Sequence, residues 1–231
     1  MTPSITVHFL TLPGTRVDRI FWVLEELGIE YGTRCHVPGK GGIPQSLKDV
    51  TKLGKSPVIE IDGRIASETG SIIHNLLAAH PAPGIESSPS NDSYFWSHFS
   101  EGTMMLHLQP SRVLGMMDGA MDRRLSKEGA AGAHALYKLF NDNWVTRNVQ
   151  AQLDFVEDFL SRNENFSGSD KLGEGDFMMA YPLNTLAYGM RAGDFKIGPA
   201  SKKWLDRMRA RPAWSRGLKR MAEAQKAQAK L

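Results

Sequence analysis

The hydrophobic pattern of the first 37 residues predicts a strand, a helix and a second strand. Residues 4–10 are β-branched and aromatic, a Pro-Gly pair then interrupts the run, and apolar residues recur at helical spacing from Arg16 to Gly28. Gly28 is expected to end the helix, and residues 30–37 have the composition of another short strand. Because a helix connects them, the two strands are expected to be parallel, in a sheet that helices cover.

The next part of the chain predicts a β-hairpin and one more helix. Glycines and polar residues dominate residues 38–56, which favours a loop with at most one poor helix. Pro57 opens an apolar run that ends at an Asp-Gly turn, and this turn type joins the run to a short returning strand. Ser67 is the predicted N-cap of the following helix, which ends near His80.

A change in composition marks a domain boundary after this helix. Residues 81–91 contain three prolines, a glycine and three serines, and no apolar period crosses them. We therefore predict an α/β domain of order βαβ-ββα over residues 1–82, a linker over 83–90, and an all-helical domain over 91–231. The predicted helical segments of the second domain lie near 92–122 and 134–163, from Gly175 onward, and near 200–210 and 212–229.

Charge is distributed unevenly between the body of the chain and its end. The formal net charge is +3, yet residues 196–231 hold 11 basic and 2 acidic residues, so the preceding 195 residues are net acidic. No aromatic residues interleave with these basic residues in the manner of a stacking platform, which disfavours nucleic-acid binding. Instead we expect the apolar faces of two packed helices, with lysine and arginine on the solvent side. Their predicted apolar residues are Trp204, Leu205, Met208, Trp214, Leu218 and Met221.

The rest of the composition narrows the class of protein further. Cys35 is the single cysteine, so the chain forms no internal disulfide and no thiolate metal site, and its place in a predicted strand indicates a buried apolar role. The first residues lack the features of a signal peptide, and no run approaches the roughly 18 apolar residues of a membrane span. Seven scattered histidines show no metal-ligand spacing. We expect a cytoplasmic protein without membrane or metal partners.

Four motifs, in order, carry a resemblance to a known family. They are VHFL…RIFWVLEELGIEY at the start, LGKSPVIEIDGRIASETGSII in the middle, YFWSHFSEGTMM at the opening of the helical domain, and GDFMMAYPL later. With this domain order the chain resembles the cytosolic glutathione transferase superfamily over nearly its whole length. It is most similar to fungal and bacterial members with a Glu-Gly-Ser/Thr step in the first helix of the second domain, here Glu101-Gly102-Thr103. The resemblance implies a thioredoxin-like first domain that binds glutathione.

The residues around Pro57 are the first part of the expected glutathione site. A proline that opens a strand cannot donate to the ladder, and the residue before it is forced into an extended conformation. The resemblance implies a cis bond between Ser56 and Pro57, with the Ser56 backbone pairing with the cysteinyl part of glutathione. It also implies cations at Lys55 and Lys40. An ordinary strand start and solvated loop lysines are the alternatives.

The start of the helix after the hairpin is the second part. Free amides at a helix N-terminus bind a carboxylate well, above all beside a hydroxyl. By resemblance, Glu68 accepts from the ammonium of glutathione, while Thr69 and its amide bind the γ-glutamyl carboxylate. Ordinary capping by Ser67 and Glu68 is the alternative.

Catalysis requires the thiolate of glutathione, and a free thiol with a pKa of about 8.5 is mostly protonated at neutral pH. Lowering this pKa by about two units takes about 2.7 kcal/mol, which one charge-assisted hydrogen bond near a helix N-terminus can supply. Thr15 is our candidate donor, since it falls where relatives reading Ser-Arg-x-x-Arg have serine, with Arg16 and Arg19 at the arginine positions. Thr11 or Arg16 are alternative donors, and Thr15 with Asp18 also resembles a capping box.

Other features of the sequence separate the candidate reactions. The loop before the first helix contains neither tyrosine nor cysteine, which disfavours tyrosine-type transferases and cysteine-dependent thiol transfer. The expected electrophile pocket lies at the opening of the helical domain, with plain core packing as the alternative for its residues. Its candidate residues are Met104, Met105, His107 and Leu108. Near the end, Gly173 replaces the usual Ser/Thr cap of a segment in which Asp176 reaches back to the cap, a structural role.

These observations predict a glutathione transferase that conjugates the thiolate of glutathione, its co-substrate, to small hydrophobic electrophiles in detoxification. The resemblance implies a homodimer. The alternatives are a glutathione-dependent peroxidase or isomerase that uses the same site, and a non-catalytic interaction module of the same fold.

Overall fold

A computed structural model describes residues 4–11, 15–39, 42–189 and 191–229. In the first part of the chain, a four-stranded sheet has the order β2-β1-β3-β4, with β1 and β2 parallel and the other pairs antiparallel. The predicted strand-helix-strand unit and hairpin are therefore confirmed. The elements are β1 (Ile5–Leu10), α1 (Val17–Glu26), β2 (Gly32–His36), the single turn α2 (Gln45–Lys48), β3 (Val58–Ile61), β4 (Arg64–Ala66) and α3 (Thr69–Ala79).

Backbone conformation explains where two of these elements end. Gly28 has a φ of +65°, which ends the helical path after α1, and this confirms its predicted role. Asp62 and Gly63 both have positive φ, at 48° and 77°, which a two-residue hairpin turn of this type requires between β3 and β4.

The start of α3 differs from the prediction. The N-cap position is Glu68 and not Ser67, because Glu68 has a φ of +69° and helical geometry begins only at Thr69. No side chain of the described residues caps α3.

The second part of the chain is helical from Asn91 onward. Its first helices are α4 (Asn91–Phe99), α5 (Met105–Arg124), α6 (Lys127–Phe140) and α7 (Arg147–Leu160). Wider turns of π-helical type, Ser100–Met104 and Asn141–Thr146, join α4 to α5 and α6 to α7 without a break. The helix α8 (Glu174–Ala187) is buried along most of its length. In the described part of the chain, no helix is long and apolar enough to cross a membrane.

The last helices, α9 (Pro199–Arg209) and α10 (Pro212–Gln228), bring the end of the chain back to its beginning. The rings of Trp22 on α1 and Trp214 on α10 lie 5.1 Å apart. As expected, Trp204, Leu205, Met208 and Trp214 are buried, whereas Leu218 is 37% exposed.

Several lysines and arginines of the basic end are exposed, as expected, and three of its arginines also contact acidic residues of α1. Glu25 of α1 pairs with Arg216 at 2.8 Å and lies 3.9 Å from Arg220, and Glu26 pairs with Arg211. Part of the positive charge of the basic end is thus neutralised by the acidic end of α1, because α10 packs beside α1.

Candidate active site

The segment before β3 has a defined backbone and a tether to the neighbouring strand. The Ser56–Pro57 bond is cis, as the resemblance implied, and the Ser56 Oγ accepts from the Leu10 amide at 3.2 Å. Pro57 is buried, Ser56 is partly buried and Lys55 is exposed. This arrangement fixes the start of β3 against the end of β1. Lys40, the other expected cation, lies outside the described residues.

The N-terminus of α3 lies in the same unit and has features suited to an anion. Thr69 is 7% exposed, whereas the side chain of Glu68 is exposed. Since no described side chain caps this helix, its first amides have no side-chain acceptor. The capping role considered for Ser67 and Glu68 is therefore absent, and these amides are available to a carboxylate.

The N-terminus of α1 contains the candidate thiol donor. Helix α1 begins at Val17 after Arg16 and has no side-chain cap bond, so Thr15 and Asp18 do not form the capping box considered from the sequence. Thr15 is partly buried and forms no hydrogen bond with another described residue. Its hydroxyl is therefore not committed to the helix.

Arg16, the alternative donor, is directed toward the helical part of the chain. Its Nε lies 3.1 Å from each carboxylate oxygen of Glu101, its Nη2 lies 3.0 Å from Oε2, and Nη1 donates to Gln109 at 3.4 Å. This bidentate pair occupies the guanidinium, which favours Thr15 over Arg16 as the thiol donor.

Arg19 forms the second half of the same cluster. Its side chain is 1% exposed and donates to the Glu101 carboxylate at 2.6 Å and to the Met178 carbonyl at 3.0 Å. Burial acts to raise the pKa of Glu101, but the neighbouring Arg19 and Arg16 hold this pKa below its usual value. Glu101 lies in the first π-type turn, so the predicted Glu-Gly-Thr step links that turn to the first turn of α1.

A cavity of about 720 Å³ lies among α5, α6 and α8. Met105 and Leu108, two of the expected pocket residues, line it. Met104 does not line it, because its side chain is fully buried in the core. His107 also lies elsewhere, because it bonds to the Thr103 carbonyl at 3.0 Å and its ring lies 4.6 Å from that of Trp144.

The cavity wall also contains polar residues that were not among the candidates from the sequence. They include Asp18, Gln109, Arg112, Tyr137, Asn141, Tyr181, Arg191 and Asp194. Helical periodicity could have indicated two of these residues, because Gln109 and Arg112, followed by Met116, continue the helix face that begins at Met105 and Leu108. No comparable signal exists for Asp18, which reaches the cavity from another part of the chain.

The remaining candidate residues have structural surroundings. Cys35 is buried, and burial raises the pKa of its thiol to about 11, which agrees with the expected unreactive role. Asp176 accepts from the Gly173 amide at 2.9 Å, so the acidic half of the predicted capping pair is present. In the described ranges, no cluster of histidine, cysteine and carboxylate side chains has the arrangement of a metal site.

Comparison with known proteins identifies similar chains. Residues 13–84 match the family described as glutathione S-transferase, N-terminal domain. The chain is 27% identical to glutathione S-transferase 3 of Schizosaccharomyces pombe over 186 residues, covering 78% of this chain and 73% of the relative. It is also 27% identical to glutathione S-transferase 1 of Saccharomyces cerevisiae over 218 residues, covering 88% and 89%.

Solved structures share the fold. The glutathione transferase URE2P6 of Phanerochaete chrysosporium, determined with oxidized glutathione, superimposes with a TM-score of 0.70 at 19% identity, covering 96% of this chain and 98% of that one. The theta class glutathione S-transferase of Xanthomonas axonopodis pv. citri, determined with glutathione bound, gives a TM-score of 0.66 at 19% identity, with 93% and 97% covered. The fold of this chain is therefore a thioredoxin-like domain followed by a helical domain.

Proposed function

Because this chain belongs to the glutathione transferase superfamily, we propose that it conjugates glutathione, as co-substrate, to small hydrophobic electrophiles. The observation that carries this proposal is the uncapped N-terminus of α3, which lies in the same small domain as the partly buried Ser56 before β3. The first feature offers an anion site, and the second offers a backbone segment that lies before the paired residues of β3. These are the two binding elements that a γ-glutamyl tripeptide needs.

In this proposal each element binds one part of glutathione. Thr69 and its amide bind the γ-glutamyl carboxylate, and Glu68 accepts from the ammonium group. The backbone of Ser56, before Pro57, pairs with the cysteinyl residue. Lys55 contributes a cation near the ligand, and we retain Lys40 for the same purpose.

The reaction needs the thiolate, and Thr15 is the proposed donor to it. Its hydroxyl is not used as a helix cap, and the neighbouring N-terminus of α1 adds a favourable potential for an anion. Arg16 then acts indirectly, because its ion pair with Glu101 fixes the first turn of α1.

The electrophile occupies the cavity of the helical domain in this proposal. Met105 and Leu108 supply apolar surface, whereas Met104 and His107 contribute to the surrounding packing. We further propose a cytoplasmic homodimer that acts in detoxification, as is implied by the family.

Titration calorimetry with reduced glutathione tests the binding site. We expect saturable binding at millimolar ligand or below, weakened about tenfold or more by Thr69→Val, because a hydrogen bond to a charged group contributes about 1.5–3 kcal/mol. Thr33→Val is the matched control, because Thr33 lies on the edge strand β2, away from the proposed site. This variant should bind glutathione like the wild type. Absence of binding by the wild type at millimolar glutathione contradicts the proposal.

Turnover of an electrophile tests Thr15. We expect Thr15→Ala to lower kcat/KM by about 10- to 100-fold, since the lost hydrogen bond to the thiolate is worth about 1.5–3 kcal/mol. The kinetic pKa of bound glutathione should rise at the same time, and Thr15→Ser should retain most of the activity. An unchanged pH profile in Thr15→Ala excludes Thr15 as the donor. If glutathione is consumed in the same amount as conjugate is formed, the reaction is a transfer, because an isomerisation leaves the amount of glutathione unchanged.

A further inference from the structure

Asp18 occupies an unusual place between the two parts of the molecule. It lies in the first turn of α1, three residues after Thr15, and its side chain lines the cavity of the helical domain. Among the described residues, it is the one cavity-lining residue that precedes α4. A carboxyl therefore faces the electrophile cavity from the helix end at which the proposed thiol donor lies.

The surroundings of Asp18 leave its carboxyl without a strong partner. In the described part of the chain it forms no ion pair and no hydrogen bond with another side chain. Arg19, the neighbouring cation, is turned toward Glu101, and Arg191 across the cavity pairs with Asp194. The other titratable or charged side chains of the cavity wall are Arg112, Tyr137 and Tyr181.

Burial raises the pKa of Asp18 to about 6, and the charge of Arg19 opposes this rise only in part. An appreciable fraction of the carboxyl is therefore protonated near neutral pH, which is the condition for a general acid. The same cavity also presents apolar surface from Met105 and Leu108. An acid in such a cavity suits an apolar substrate that develops a negative charge during the reaction.

We propose that Asp18 is a general acid of this site, which donates a proton to the oxygen of an epoxide while the thiolate of glutathione opens the ring. The proposal rests on the proposed function. The thiolate sulfur attacks one ring carbon, a C–S bond forms and the C–O bond of that carbon breaks. The oxygen takes the proton of the Asp18 carboxyl, which gives a hydroxy thioether. The Asp18 carboxylate recovers a proton from water, equivalent to the one that the thiol released.

Two electrophiles distinguish this role from a general effect on the site. Styrene oxide requires a proton on its oxygen, whereas 1-chloro-2,4-dinitrobenzene loses chloride, which requires none. The quantity to measure is the ratio of kcat/KM for the epoxide to kcat/KM for the aryl halide, across pH 5.5 to 8.5 at saturating glutathione. Ionisation of the thiol affects both reactions and cancels in this ratio.

In the wild type we expect the ratio to fall as pH rises above about 6, approaching tenfold for each pH unit. In Asp18→Asn the ratio should fall by about 100-fold at pH 6 and become independent of pH, because general acid catalysis contributes about 100-fold or more. Asp194→Asn removes a carboxylate from the same cavity wall and should change both reactions by the same factor.

Each outcome decides a separate question. A wild-type ratio that is flat with pH, or an equal loss on both electrophiles in Asp18→Asn, overturns the role of Asp18 while the transferase function stands. No conjugation of either electrophile by the wild type contradicts the proposed function as well. If Asp18→Asn does not fold, the pH dependence of the wild-type ratio still tests the proposal.

Discussion

Arg19 is a buried cation whose charge is balanced from a distant part of the chain. Its guanidinium is held by Glu101, the Met178 carbonyl and the ring of Tyr181, whose centroid lies 5.3 Å away. Removing one partner of a buried pair leaves an uncompensated charge, which costs far more than the net contribution of the intact pair. Glu101 therefore stabilises the protein mainly by keeping Arg19 neutralised.

We predict that Glu101→Ala lowers the free energy of unfolding by about 3 kcal/mol, measured by urea denaturation at pH 7.5. Asp158→Ala is the control, because it breaks an ion pair with Arg162 in which both side chains are about two-thirds exposed. That substitution should cost less than about 1 kcal/mol. Equal effects of the two substitutions contradict the prediction.

The raised pKa of Asp18 also predicts how the stability of the protein changes with pH. Its pKa rises from 3.8 in the unfolded chain to about 6 in the folded protein. Ionisation of Asp18 therefore lowers the free energy of unfolding. This loss of stability grows between pH 4 and pH 6 and is complete above pH 6. Asp18→Asn removes the cost.

We predict that the melting temperature of Asp18→Asn exceeds that of the wild type at pH 7.5, and that the difference vanishes at about pH 4. Calorimetry at both pH values gives the comparison. A gain in Tm that is the same at both pH values would show that packing, and not ionisation, causes it. A gain at pH 7.5 together with slower epoxide opening would identify Asp18 as a site where activity is retained at the expense of stability.

At the scale of single elements, α8 shows how one helix can obtain its cap from another. Gly173 has no side chain to cap α8, and the hydroxyl of Ser93 on α4 instead accepts from the Gly175 amide at 3.0 Å. A Cβ at position 173 would lie 2.3 Å from the Ser93 Oγ. The missing cap of the sequence motif is thus replaced by a tertiary one, and glycine leaves room for it.

We predict that Ser93→Ala costs about 1–3 kcal/mol of unfolding free energy, because it leaves a buried amide without an acceptor. Ser161→Ala is the comparison, since the Ser161 hydroxyl donates to an exposed carbonyl and its loss should change stability by less than about 0.5 kcal/mol. A cost for Ser93→Ala no larger than that for Ser161→Ala contradicts the tertiary cap.

The same elements show what the sequence could predict. The parallel pair and the hairpin follow from local pattern and turn chemistry, and so do most helices of the second part, although α6 begins at Lys127 and not near 134. The strand order depends on pairing between distant strands and was not predicted. The start of α3 was misplaced by one residue, because the positive φ of Glu68 is set by tertiary context and not by capping preference. The roles of Asp18, Glu101 and Ser93 depend on contacts between distant segments, which no local spacing encodes.

For the molecule as a whole, the packing of α10 on α1 joins the last helix to the first. The backbones approach closely at Gly217, where an added Cβ would lie 3.1 Å from the Phe21 carbonyl carbon and 3.2 Å from the Trp22 nitrogen. The ion pairs of Glu25 with Arg216 and of Glu26 with Arg211 flank this contact. Three arginines of the basic end, Arg211, Arg216 and Arg220, therefore contribute to the junction between the two parts.

This junction predicts opposite effects for the same substitution at two helical glycines. Gly132→Ala in α6, where a Cβ would meet nothing within 4 Å, should stabilise the protein by up to about 1 kcal/mol through helix propensity. Gly217→Ala gains the same propensity, but its methyl group meets backbone atoms that cannot rotate away, and overpacking costs about 1–3 kcal/mol. We therefore expect Gly217→Ala to be less stable than the wild type in urea unfolding followed by tryptophan fluorescence, which Trp22 and Trp214 report from the contact itself. If Gly217→Ala is stabilised as much as Gly132→Ala, the two helices separate without cost and do not hold the two parts together.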